Sequence, residues 1–198
     1  GQILISAIVS VAGDRVIIAL FLTMLTCIVL GMGVPTTANY IIMATTCAPI
    51  LVNGMGINKI AANMFVFYFG IVADITPPVA LAAYAGSAIA KSNPMKTALN
   101  ASRLAIAAFI VPYIFAFNPA MLFIDADVVQ VVIIIVTSLV GLTGVAGGLE
   151  GYMVTNMNPI QRILAVVGGL CLIIPGTVTD LAGIAIVGAS VVWQLADK

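Results

Sequence analysis

The residues of this chain that could do chemistry fall in two short polar stretches inside an otherwise apolar sequence. The first polar segment is residues 31–39 (GMGVPTTAN) and the second polar segment is residues 74–78 (DITPP). Glycine and proline interrupt helices, while threonine, asparagine and aspartate supply oxygen ligands and hydrogen-bond donors. At membrane depth such residues are tolerated only where they line a cavity or a site.

The order of the residues in each segment indicates what it could bind. A helix is predicted to start after Pro35, and its free N–H groups and positive dipole end favour a carboxylate or another anion. A second helix start follows Pro78, whereas the helix before Asp74 ends in exposed carbonyls that suit sodium. The predicted substrate- and ion-binding residues are Gly31, Gly33, Pro35, Thr36, Thr37, Asn39, Asp74, Thr76, Pro77 and Pro78. Sodium is expected near Gly33, Thr36, Asp74 and Thr76.

Two alternatives stay open for these segments. Both segments could be ordinary turns at the membrane surface that join four short spans. Asp74 could pair with Arg103 or Lys59, or accept N–H bonds from the helix after Pro78, instead of holding a transported ion. A carboxylate inside a span costs about 2.5–3.5 kcal/mol on insertion scales, so either a partner or an ion is expected for it.

Composition places the chain among all-α, polytopic membrane proteins. Hydrophobic residues make up 63% and charged residues 7% of the chain, whereas about a quarter of a soluble domain is charged. Seven basic residues balance seven acidic ones, which gives no footprint for nucleic acid. The chain has no histidine and no paired acidic motif, so we expect neither an enzyme nor a cofactor beyond a coupling ion.

Helix lengths predict how residues 1–124 meet the membrane. An interfacial helix over 1–13 is followed by a re-entrant hairpin over 16–52, whose arms are too short for a comfortable crossing. Apolar stretches on both sides of the second polar segment form one broken transmembrane helix over 57–90. A transmembrane helix over 94–123 comes next, with Ser92 or Asn93 as its cap, Pro94 as its first residue and a kink at Pro112.

Basic residues between the broken helix and the next span set the expected orientation. Lys91, Lys96 and Arg103 cluster in this loop, so the positive-inside rule places it in the cytoplasm. The hairpin then opens to the outside, and Asp125 and Asp127 are external. Because the sequence begins without methionine or a basic leader, we expect it to be the C-terminal piece of a longer chain.

Residues 128–198 are predicted to form an accessory membrane region of about three helices. Residues 128–148 make one smooth span, whose glycines serve either close helix contact or merely as filler. A polar loop over 150–162 and two short helices over 163–174 and 181–193 complete the region. The three cysteines, Cys27, Cys47 and Cys171, lie in apolar runs and are expected to be small buried residues.

Residues 31–40 (GMGVPTTANY) and 65–80 (FVFYFGIVADITPPVA) together resemble the large membrane subunit of TRAP transporters. The chain is most similar to the C-terminal half of fused permeases, which join the small and large membrane subunits, and the resemblance covers about residues 1–124. It implies half of an inverted-repeat elevator transporter, in which the hairpin tip is residues 31–39 and the helix break is residues 74–78. The chain departs from the family pattern at Val34-Pro35, where many unfused subunits have an acidic residue, and at Ala80, where they have glycine.

The resemblance also implies a function and its partners. We expect the permease component of a tripartite, ion-gradient-driven importer in the bacterial inner membrane. A periplasmic binding protein would deliver an organic acid, and sodium, or else the proton, would be the coupling ion. The other partners are the lipid bilayer and the missing N-terminal part of the permease. The alternative is a structural or channel-like membrane subunit without a coupled transport site of its own.

Overall fold

The chain folds as α-helices in this computed structural model, which describes residue 8 and residues 10–13, 15–124, 127–173 and 176–196. It consists of two compact units, Gly1–Ala116 and Phe117–Lys198. Within the described residues, β pairing is limited to an isolated bridge between Tyr152 and Asn156. The interfacial helix expected over 1–13 lies mostly outside the described residues, and Asp125 lies outside them entirely.

The first unit begins with two helices joined by a short turn. Helix α1 spans Val16–Gly31 and helix α2 spans Thr36–Thr46, with a π-helical turn at Ile50–Gly54 after it. The 16 residues of α1 rise about 24 Å, which is less than the roughly 30 Å of a hydrocarbon core. The short length agrees with a hairpin arm, although its re-entrant path in the membrane stays a prediction.

The next element is a helix interrupted at the second polar segment. Helix α3 spans Lys59–Val72, a 3-10 turn covers Ala73–Ile75, and helix α4 spans Leu81–Ile89. The hydroxyl of Thr76 donates to the Val72 carbonyl over 2.7 Å and so ends α3. Pro77 and Pro78 cannot continue the hydrogen-bond ladder because they have no N–H. The structure therefore confirms the helix break that the prolines predict.

Helices α5 (Pro94–Leu104) and α6 (Ile106–Phe117) replace the single helix expected over 94–123. They meet at Ala105 with a bend of 41°, a position that the sequence did not predict. Pro112 lies inside α6, and the kink expected there stays a prediction. The bend falls where a polar, basic helix meets an entirely apolar one, and the two suit different environments. The predicted cap is confirmed at Asn93, whose side chain accepts a hydrogen bond from Lys96 N over 3.1 Å.

The apolar helix also ends earlier than the sequence suggested. Asn118 accepts a hydrogen bond from Ala120 N over 3.2 Å, and a separate 3-10 turn covers Pro119–Leu122. An asparagine followed by proline is a start signal for a new helical turn. Helix α6 therefore stops at Phe117 rather than continuing to residue 123.

Helix α3 is the centre of the first unit. Helices α1 and α2 both pack against it, and its rings at Phe65 and Phe69 are fully buried. Tyr113 of α6 meets these two rings edge-on, with ring centres 5.3 and 5.9 Å apart. Such pairs contribute about 0.5–1.5 kcal/mol each beyond the area they bury. The helix break is therefore attached to a rigid aromatic core.

In its described residues, the second unit has three α-helices, α7 (Val128–Glu150), α8 (Pro159–Ile173) and α9 (Thr177–Ala196). The expected loop over 150–162 and helix over 181–193 are wrong in their bounds, because Pro159 starts α8 and α9 runs for 20 residues. By length and composition, Val128–Glu150 and Val178–Leu195 could each cross a membrane, as could the bent pair α5 and α6 if it is one span.

Glycines bring the three helices of the second unit into close contact. A Cβ atom added to Gly169 would lie 2.5 Å from the Gly141 carbonyl oxygen, and one on Gly148 would lie 2.8 Å from the Arg162 carbonyl oxygen. The glycines of α7 therefore serve close helix contact, as one of the two sequence interpretations held, rather than acting as filler.

Alanine at Gly169 should lower the free energy of unfolding by about 1–3 kcal/mol, because its methyl group would meet backbone atoms that cannot move aside. The thermal unfolding temperature of the purified protein measures this effect. The matched control is Gly188→Ala in α9, where an added Cβ meets nothing within 4 Å. Equal unfolding temperatures for the two variants would contradict the packing described here.

Candidate functional site

The first polar segment forms the turn between α1 and α2. Gly33 has a φ of 75°, in the left-handed region that favours glycine. Pro35 precedes α2 and gives it no side-chain cap, so no capping side chain takes up the N–H groups of the first turn of α2. Thr36 and Thr37 lie at this helix start with exposed side chains.

Asn39 joins this turn to α3. Its side chain is only 3% exposed, and its Nδ2 donates to the Gly70 carbonyl over 2.8 Å. The Oδ1 of the same amide is buried and, among the described residues, has no hydrogen-bond donor. A buried polar atom without a partner is uncommon in native proteins and often marks a site for water or an ion.

Two glycines make the Asn39 contact possible. A Cβ on Gly31 would lie 2.8 Å from the Gly70 carbonyl oxygen and 2.9 Å from Asn39 Nδ2. A Cβ on Gly70 would lie 3.0 Å from the same Nδ2. Only hydrogen atoms fit at these positions, so the end of α1 and the last turns of α3 close directly on the asparagine. We call Gly31, Asn39 and Gly70 the glycine–asparagine junction.

The tip of the turn reaches the start of α4. A Cβ on Gly33 would lie 3.9 Å from Cδ1 of Leu81, the first residue of α4. Since Gly31 also lies against Ala73 at the break, the two polar segments are neighbours in the folded unit. Two helix starts, at Thr36 and Leu81, therefore lie in the same region.

The second polar segment is held by hydrogen bonds to its carbonyl groups. Ser102 Oγ donates to Ile75 O over 3.0 Å, and Tyr84 Oη donates to Pro78 O over 2.6 Å. Together with the Thr76 bond to Val72, three carbonyls in or next to this segment thus accept hydrogen bonds from side chains. Asp74 lies half-buried in this segment. Its role, whether an ion ligand or a partner in an ion pair, stays a prediction.

Ala80, where the family resemblance leads one to expect glycine, adopts a backbone conformation that glycine favours. Its φ is 34° and its ψ is 49°, in the left-handed region, immediately before α4. That conformation costs a residue with a side chain about 1–2 kcal/mol, whereas glycine adopts it freely. Ala80 is nevertheless fully buried beside Ala83 and Ala98, and burial of its methyl group offsets part of this cost by about 0.8 kcal/mol.

Substitutions at Ala80 should separate the cost of the left-handed backbone from the gain of burying the methyl group. Ala80→Gly should change the free energy of unfolding by less than about 1 kcal/mol, because the relieved strain is balanced by lost burial and by backbone entropy. Ala80→Val should lower it by about 1–3 kcal/mol, because a β-branched side chain is strained at this φ. Thermal unfolding measures both, with Ala82→Val on the exposed surface of α4 as control. If Ala80→Val were as stable as Ala82→Val, the left-handed conformation would be wrong.

The structure brings some of the predicted residues together and leaves others at the surface. Gly31 and Asn39 lie against Gly70 of α3, and Gly33 lies near Leu81 at the start of α4. Asp74, Thr76 and Pro77 are half-buried at the break, whereas Pro35 and Pro78 are exposed. Sequence reasoning did not select Gly70, Leu81, Ser102 or Tyr84. A signal existed for Gly70, because glycine inside an apolar helix costs about 1 kcal/mol and indicates a close approach.

Comparison with known proteins finds a match to a protein family. A protein-family model described as "Tripartite ATP-independent periplasmic transporter, DctM component" matches residues 1–128. No curated protein and no solved structure matches the chain. The matched range contains both polar segments and the glycine–asparagine junction.

Proposed function

Because this chain belongs to the family of the DctM component of tripartite ATP-independent periplasmic transporters, we propose that it is part of the permease of an ion-driven secondary importer. It is a multi-pass membrane protein, and we place it in the inner membrane of a bacterium. The cargo is an organic acid that a periplasmic binding protein delivers. The fused arrangement, with the small subunit in the same polypeptide, is part of the proposal.

The contact between the two polar segments is the observation that carries this proposal. The helix starts at Thr36 and Leu81 lie in one region, because Gly33 approaches Leu81 and Gly31 approaches Ala73. Neither start has a side-chain cap. Half-helix N-termini with free N–H groups bind carboxylates in secondary transporters, because the groups and the helix dipole both favour negative charge. An organic acid is therefore the cargo class that best fits this region.

The buried amide oxygen of Asn39 supports sodium as the coupling ion. Oxygen atoms of amides and carbonyls are the ligands that hard cations prefer, and this one lacks a donor among the described residues. It lies where the start of α2 contacts α3, so cation binding there would stabilise the glycine–asparagine junction. Asn39 thus joins Gly33, Thr36, Asp74 and Thr76 in the proposed sodium region, and proton coupling is the competing proposal.

Uptake by the reconstituted full-length permease tests the function. Proteoliposomes would be given labelled organic acids loaded on the periplasmic binding protein, with an inward sodium gradient, an inward proton gradient, or neither. We expect accumulation only with the sodium gradient and the binding protein. Uptake that is indifferent to both gradients and to the binding protein would overturn the proposal and favour a channel-like subunit.

A further inference from the structure

A groove runs along the outer surface of the first unit between α2 and α3. Its larger cavity has a volume of about 620 Å³ and is lined by Tyr40, Lys59, Ile60, Asn63, Met64 and Phe67. A smaller cavity of about 310 Å³ continues it and shares two of these residues, Lys59 and Asn63. We call the two together the lateral groove.

The groove exists because small side chains face larger ones. Tyr40, Ala44 and Ala48 recur every four residues along one wall, and the two alanines leave space that leucine would fill. On the opposite wall, Ile60, Met64 and Phe67 recur at helical spacing along one side of α3. The inner end is fastened by the Tyr40 and Phe67 rings, whose centres are 5.5 Å apart.

Charge and polarity differ between the two ends of the groove. Lys59, the first residue of α3, is the one charged residue among those that line it, and Asn53 lies in the same cavity. Ile60, Met64 and Phe67 make the wall beyond mostly apolar over about 12 Å, the rise from Lys59 to Phe67, with Asn63 as its one polar side chain. A hydrogen bond of 3.2 Å from Tyr40 Oη to Asn63 Oδ1 satisfies the polar groups midway.

These features match one class of occupant. A cation at the start of a helix and an apolar channel that runs away from it complement an amphiphile with an anionic head and an alkyl chain. Side chains at the groove are open to the surroundings, with Ile60 53% and Met64 38% exposed, so an acyl chain could reach them from the bilayer. A transmembrane helix in the same place would leave the Lys59 charge buried without a carboxylate on this wall.

We propose that the lateral groove binds one anionic phospholipid, with its phosphate at Lys59 and an acyl chain along Ile60, Met64 and Phe67. The bound chain would lie between α2 and α3, next to the turn that carries the candidate site. The proposed ligand is a lipid molecule of the bilayer, so the proposal does not depend on the nature of the cargo or the coupling ion.

Photo-crosslinking of the full-length permease tests this site. The permease would be reconstituted in nanodiscs of phosphatidylcholine with a small fraction of phosphatidylglycerol that carries a photoreactive acyl chain, and labelled peptides would be mapped by mass spectrometry. We expect labelling of residues 40–52 and 59–67. Lys59→Gln should reduce it about fivefold, the effect of one basic residue at an anionic lipid surface. Lys91→Gln, which removes a cation outside the groove, should leave it unchanged.

A second variant separates the loss of charge from the loss of space. Ala44→Trp keeps Lys59 but fills the groove, and it should also remove labelling while the thermal unfolding temperature stays near that of the parent. Labelling that is unchanged in both variants would overturn the proposal. So would the absence of labelling of residues 40–52 and 59–67 in the parent.

Discussion

Alanine at Gly31 should reduce ion-driven uptake by the full-length permease about tenfold, an effect equivalent to about 1.4 kcal/mol. The new methyl group would lie 2.8 Å from the Gly70 carbonyl oxygen, a backbone atom inside α3. Because a helix backbone cannot move aside, the turn over residues 31–35 must separate from the break, and the helix starts at Thr36 and Leu81 move apart. Overpacking of this kind costs about 1–3 kcal/mol. Uptake into proteoliposomes and the thermal unfolding temperature measure the two consequences.

Alanine substitutions at two further glycines should have smaller effects on uptake than Gly31→Ala. Alanine at Gly70 would meet the side chain of Asn39 at 3.0 Å, and a side chain can move more easily than backbone, so its effect should be smaller. Gly86→Ala in α4 meets nothing within 4 Å and should leave uptake unchanged. Any order other than Gly31→Ala worst, Gly70→Ala intermediate and Gly86→Ala neutral would contradict the close contact at the junction.

Alanine at Asn39 should raise the sodium concentration for half-maximal uptake about tenfold, a loss of about 1.4 kcal/mol in sodium binding. The substitution removes the buried Oδ1, which has no donor among the residues that the structure describes, and also the 2.8 Å bond from Nδ2 to Gly70 O. Loss of that bond lowers stability by about 1–3 kcal/mol. Asn39→Asp keeps an oxygen at the same place and should therefore retain more of the sodium affinity than Asn39→Ala.

The sodium dependence, rather than the rate alone, distinguishes a ligand from a structural residue. Asn63→Ala is the matched control, because this amide also bonds to its surroundings, through Tyr40 Oη and Lys59 O, but lies in the lateral groove. It should leave the half-saturating sodium concentration unchanged. If Asn39→Ala lowered the maximal rate at an unchanged half-saturating concentration, Asn39 would act through structure alone.

Much of the fold follows from local signals in the sequence. Pro77 and Pro78 remove two backbone donors in succession, so a helix break there could be predicted without a structure. Asn93 followed by Pro94 likewise fixed the start of α5. Such signals act within a few residues and do not depend on how the chain packs.

Packing decided the features that the sequence did not reveal. Asn39 and Gly70 are 31 residues apart. The sequence near either residue does not indicate that the Asn39 amide donates a hydrogen bond to the Gly70 carbonyl. The sequence did not reveal the bend at Ala105, because Pro112 gave the stronger local signal; the bend lies where the polar helix α5 meets the apolar helix α6. The left-handed φ of Ala80 could not be predicted from the sequence either, because alanine is an unusual residue for that conformation.

The most direct test of a binding site between the two polar segments is whether sodium and cargo protect the start of α2 from a labelling reagent. A cysteine at Thr36, in a full-length permease whose native cysteines are replaced by alanine, would be labelled with a maleimide. When sodium and the cargo-loaded binding protein are present at about ten times their dissociation constants, the labelling rate should fall about tenfold. A cysteine at the exposed position of Ser92 should react at an unchanged rate. Equal labelling rates at Thr36 with and without sodium and cargo would contradict a binding site at the contact between the two polar segments.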